Sequence, residues 1–253
     1  MTKILAHTCG DKTYLPLLQN LASKTQVLSG SLHESIFDNY SKFKPEVVLL
    51  PIHEYTQEFH EFVDTHRTQT NVVIFAGHLT DNMLIKYCDN NNIKLICQNK
   101  QGENVLSYQY LYDAEMYRDL NLPRANKILT ILSNDNAYNH QILDNILYPK
   151  TFHNLILINN SEFQHPQNVG TAQFNDLAIL LNHSEYAIDL SDMFYAECQA
   201  CNIKTIQVDK NDLLLNIENS VFTEKVSDVT KYSISHFVDN ELLPFINNTN
   251  KGK

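Results

Sequence analysis

The sequence predicts an α/β protein of two domains, each built on a parallel sheet, facing one another across a cleft. Three observations predict it. Short β-branched apolar runs alternate with amphipathic segments along the chain. The runs are continuously apolar instead of alternating with polar residues, which marks parallel strands covered on both faces. The series also occurs twice, before and after a tyrosine-rich stretch at 103–122, so each series has the material for its own core. A length of 253 residues suits two small domains.

The first series opens with Lys3–Ala6 as a strand. A helix over 15–23 follows, with Leu17, Leu18 and Leu21 on one face and Pro16 in the first turn, where a missing N–H is tolerated. Residues 26–28, 46–50, 71–75 and 93–97 are further strands. Helices fall between them at 34–40, 56–65 and 80–88, the last with Thr80 or Asp81 as N-cap. The second series places strands at 127–132, 155–158, 186–189 and 204–208, and helices at 139–147, 174–181 and 194–201. A final helix over 229–243 carries Ile234, Phe237, Val238 and Leu242 largely on one side. It is expected to end at Pro244 and to cross back onto the first domain. The expected division is a Rossmann-like domain over 1–105, a connector over 106–124, a second Rossmann-like domain over 125–222, and a helix and tail over 223–253.

Composition narrows the function classes. Hydrophobic residues make up 43% and charged residues 19%, enough for a core and free of any disorder signature. A net charge of −10 repels phosphate backbones, and no dense basic run offsets it, so general nucleic-acid binding is not expected. No apolar stretch is long enough for a membrane span, and the opening residues lack a signal-peptide pattern. The five cysteines, Cys9, Cys88, Cys97, Cys198 and Cys201, are an odd number in a long chain. That argues for reduced thiols and a cytoplasmic location. Cys198 and Cys201 form a single C-x-x-C without the remaining zinc ligands, so no metal and no cofactor is expected. The sequence contains no P-loop, G-x-G-x-x-G or G-x-S-x-G.

Ligands of open parallel sheets bind beyond the carboxyl ends of the strands. In the first series the residues there are His7 to Asp11, Ser29 to Ser31, His53 and Glu54, and Gly77 and His78. In the second they are Ser133 to Asp135, Asn159 and Asn160, and Leu190 to Asp192. The segment 189–206 reads as a strand end, a short loop, a helix and a strand. Its helix start can present free N–H groups to a phosphate, Ser191 can add a hydroxyl, and Glu197 lies one turn in, where a carboxylate can accept two ribose hydroxyls. The plainer alternative makes Ser191 or Asp192 an N-cap and Glu197 an exposed helix residue.

This segment, with what precedes it, resembles the C-terminal domain of GT-B fold glycosyltransferases and the related nucleotide-sugar 2-epimerases. The resemblance is carried by Pro166-Gln167-Asn168-Val169-Gly170, Phe174 to Asn182, Tyr186 to Asp189, Ser191, and Glu197 to Ile206, and covers about residues 125–210. It implies a glycosyltransferase, metal-independent as these enzymes usually are, that takes a sugar from a nucleotide-sugar donor to an acceptor the sequence leaves open. A nucleotide-sugar epimerase or hydrolase, or a non-catalytic nucleotide-sugar-binding protein, are the alternatives. It further implies that Ser191, Asp192 and Met193 form the diphosphate loop and Glu197 holds the ribose, with Ser133 and Asn134 also on the donor side. Two departures stand out. Asp192 and Met193 replace the small residues usual in that loop, and an aspartate there repels a diphosphate. Asp189 stands where some members carry a second glutamate.

An inverting transfer needs a base for the acceptor hydroxyl and positive charge for the leaving diphosphate. The candidate bases are His7, Asp11, His53 and His78. The first, second and fourth are carried forward as catalytic, since a histidine with an ordinary pKa of about 6.5 suits proton transfer near neutrality. Lys12, Arg124 and Lys127 are the candidate cations near the rim.

Overall fold

The computed structural model describes residues 2–8, 13–30, 34–52, 56–77, 79–124, 128–133, 154–159, 174–189, 194–207 and 228–248. The chain divides into two compact units. The first comprises Met1–Leu111 with Lys231–Lys253, and the second Tyr112–Thr230.

In the first unit, β1 (Lys3–His7), β2 (Gln26–Gly30), β3 (Val47–Pro51), β4 (Asn71–Gly77), β5 (Lys94–Gln98) and β6 (Val105–Tyr108) form one sheet in the order β2-β1-β3-β4-β5-β6. Every pair in it is parallel. Four helices intervene: α1 (Tyr14–Lys24), α2 (Ile36–Phe43), α3 (Gln57–His66) and α4 (Asn82–Asn90). Side chains alternate across the sheet. Ile4, Val47, Leu49 and Phe75 pack with Leu17 and Leu21 of α1 and with Ile234 and Phe237. Leu5, Val48, Leu50 and Ile74 pack on the other face with Phe59, Phe62 and Val63 of α3 and with Ile85 and Cys88 of α4. Both faces are dry, which is why the strands read as continuous apolar runs. Each large side chain so buried contributes about 1.5–3 kcal/mol.

The sixth strand departs from expectation, because 105–108 fall in the stretch read as a connector. Only six residues separate β5 from its parallel neighbour β6, half of what such a crossover usually takes. The tight return uses Asn99 in the left-handed region and Gly102, where an added Cβ would lie 2.5 Å from Val105 Cγ2.

The C-terminal helix also differs. It begins with α7 (Ile234–Phe237), whose N-cap Ser233 accepts from the His236 N–H. It widens into a π turn at Val238–Leu242 and continues through Pro244 as α8 (Leu243–Asn247). The wide turn shifts the hydrogen-bond register just before the proline and lets Pro244 occupy a first-turn position instead of ending the helix. The helix packs within the first unit beside α1. Its final carbonyls have no partners within the helix. Lys94 Nζ donates to the carbonyls of Phe245, Ile246 (3.4 Å) and Asn248 (2.6 Å), and Asn71 Nδ2 donates to Ile246 O at 2.6 Å. Both clamps come from the first residues of their strands, at the amino edge of the sheet.

In the second unit, β7 (Ile128–Ser133), β8 (Asn154–Asn159), β9 (Tyr186–Asp189) and β10 (Lys204–Gln207) form a parallel sheet in the order β10-β9-β7-β8. Its described helices are α5 (Phe174–His183) and α6 (Tyr195–Ala200). Leu177, Leu181, Ala187, Ile188, Cys198 and Ile203 are buried.

Lys94→Met keeps the apolar stem but strands the carbonyls of the last helical turn. We expect unfolding free energy to fall by about 1–3 kcal/mol, measured by urea denaturation, with faster amide exchange in 243–247.

Candidate functional site

Each sheet reverses its strand order once, between β1 and β3 in the first unit and between β7 and β9 in the second. Such reversals open a crevice at the carboxyl edge. Of the expected site residues, His7 ends β1, Ser133 ends β7, and Asp189, which precedes the expected phosphate loop, ends β9. The register sets Leu132 beside Asp189, so Ser133 and the loop after β9 leave the second sheet at the same point.

His7 is 1% exposed. Its odd-numbered place on β1 turns it to the face covered by α2 and α3, and its ring meets Phe59 edge-on at 4.8 Å between centroids. Residue 30, paired with it on β2, must be small. A Cβ on Gly30 would come within 3.3 Å of His7 Nε2 and 3.1 Å of Asn39 Nδ2. Among the described residues, neither ring nitrogen of His7 has a hydrogen-bond partner. Burial holds its pKa below the ordinary 6.5, against the opposing pull of Glu58 and then Glu34. Glu58 is fixed in place. Its Oε1 accepts from Ser35 Oγ at 2.7 Å and from the Ile36 N–H at 3.1 Å, so a carboxylate from α3 caps α2. Glu34 accepts from Asn39 Nδ2 at 3.4 Å. Sequence reasoning missed Glu34, Glu58 and Asn39. The one available signal was an acid in the first turn of the helix after β3.

In the second unit the Asp189 carboxylate accepts from the Phe194 N–H at 2.8 Å and ties the end of β9 to the start of α6. That bond gives this acid a structural task. Glu197 is 3% exposed, which overturns the plainer expectation of a solvated helix residue. It shares the buried interior of the unit with Tyr112 and Tyr117, whose phenols are pushed up chiefly by burial, with Glu197 among the charges that add to the shift. The thiols of Cys198 and Cys201 are buried and likewise pushed up, Cys201 to about 12. At neutral pH they are protonated and poor nucleophiles.

Arg124 is a correction. Its guanidinium donates to the carbonyls of Leu181 (3.4 Å), Ser184 (2.9 Å) and Cys201 (2.6 Å). These are the closing turns of α5 and α6, at the amino edge of the sheet, so this cation serves helix C-termini and does not stand at the rim. Asp11, Lys12, His53, His78, Lys127, Asn134, Ser191, Asp192 and Met193, and the side chain of Ser133, lie outside the described residues. Among the described residues, no three His, Cys, Asp or Glu side chains converge to hold a metal ion, and no helix is long and apolar enough to cross a membrane.

No family model matches the chain, and no curated protein matches it in sequence. Solved structures do match. A sucrose-phosphate synthase from Thermosynechococcus elongatus is similar at a TM-score of 0.58 and 10% identity, over 82% of this chain and 81% of that one. The UDP-GlcNAc 2-epimerase of Methanocaldococcus jannaschii gives 0.55 and 10%, over 96% and 99%. Anabaena HepE, in complex with UDP-glucose, gives 0.54 and 9%, over 82% and 80%. The chain has a GT-B-like fold. Its neighbours in that fold are nucleotide-sugar enzymes, glycosyltransferases and epimerases alike.

The His7 environment has a measurable consequence. Between the lowered native pKa and about 6.5, the unfolded chain binds more protons than the folded one, so stability rises with pH across that window. His7 therefore costs nothing above pH of about 6.5 and destabilises progressively below it. Urea unfolding across this range should show His7→Asn losing less stability on acidification than the native chain.

Proposed function

We propose that the chain is a glycosyltransferase that takes a sugar from a nucleotide-sugar donor held by the second unit to an acceptor held by the first. The observation that carries the reading is His7, a buried imidazole kept neutral at the carboxyl edge of β1, beside the strand reversal where a ligand is expected. A neutral imidazole can take the proton of an acceptor hydroxyl as the hydroxyl attacks the sugar. Asp11 and His78 are the further catalytic candidates. On the donor side, Ser133, Asn134, Ser191, Asp192 and Met193 are proposed to face the phosphates and Glu197 to accept from the ribose. The transfer is proposed to need no metal.

The electrostatics of the donor side are specific to this chain. Tyr112–Thr230 holds sixteen Asp and Glu residues against seven Lys and Arg, a net −9 of the chain's −10. Arg124 is already committed to helix carbonyls. A diphosphate would therefore be held by local N–H and hydroxyl donors against the field of the whole unit.

A second reading, nucleotide-sugar 2-epimerisation, is favoured by the likeness to the Methanocaldococcus enzyme over nearly the full length of both chains. Product analysis separates the two, since transfer consumes an acceptor and epimerisation does not.

His7→Ala is expected to lower turnover about 10²–10⁴-fold with donor affinity unchanged, by steady-state kinetics on a panel of UDP-sugars and acceptors. Glu197→Gln should weaken UDP binding about tenfold or more, by calorimetry. UDP affinity should improve as salt is raised from about 10 mM to about 150 mM, because screening shortens from about 30 Å to about 8 Å and removes the unit's repulsion. A binding constant that weakens with salt, or no binding of any nucleotide, would tell against the donor assignment.

A further inference from the structure

We draw no further inference here: the strongest candidate, the exposed apolar side chains of Leu79 and Met83 between the end of β4 and the first turn of α4 on the carboxyl edge of the first sheet, carries nothing because nothing in the structure shows what covers them.

Discussion

Parallel pairing is the constraint from which the rest of this structure follows. A parallel sheet needs helices over both faces, and each crossover returns the chain to the same starting edge. All carboxyl ends and helix starts then share one edge, and all helix ends share the other. In the first unit His7, Gly30, Pro51 and Gly77 close their strands on the first edge, while Asn71 and Lys94 open theirs on the second. The helix-end clamps and the candidate site are divided between these edges. Lys94 and Asn71 hold the last turn of α8, and Arg124 holds the ends of α5 and α6. Two positive side chains are thereby committed to helix C-termini, where the helix dipole favours them. Neither remains for the rim.

This division also explains what could be read from the sequence. Strands such as Val47–Pro51 and Asn71–Gly77 were legible because burial on both faces leaves an uninterrupted apolar run. The Val105–Tyr108 strand was not. It is a four-residue edge strand, half-buried throughout, reached by a return too short for an ordinary crossover. Pro244 reads as a stop because local chemistry makes it one in a regular helix. The π turn that accommodates it is held by packing of Phe237, Val238 and Leu242 against the sheet, which no local pattern encodes.

The site divides in the same way. His7 and Gly30 could be picked from the sequence because a strand end is a local property. The acids around them could not, because Glu58 reaches that place only when α3 packs beside α2 and caps it. Arg124 shows the converse error. Closeness in sequence to the first strand of the second unit said nothing about which edge its long side chain would serve, and the carbonyls of Leu181, Ser184 and Cys201 lie 57 to 77 residues away along the chain.

The surroundings of His7 balance two opposed effects. Desolvation disfavours the imidazolium, and two nearby carboxylates favour it. Burial alone would lower the ring's pKa further. The carboxylates alone would raise its pKa. Burial prevails, so the imidazole of His7 is a weaker base than an ordinary histidine, and the carboxylates limit how far it is weakened. Among the described residues, neither carboxylate is bonded to the ring. Glu58 is restrained by Ser35 and Ile36, because a carboxylate already accepting from the start of α2 is held back from collapsing onto the imidazole.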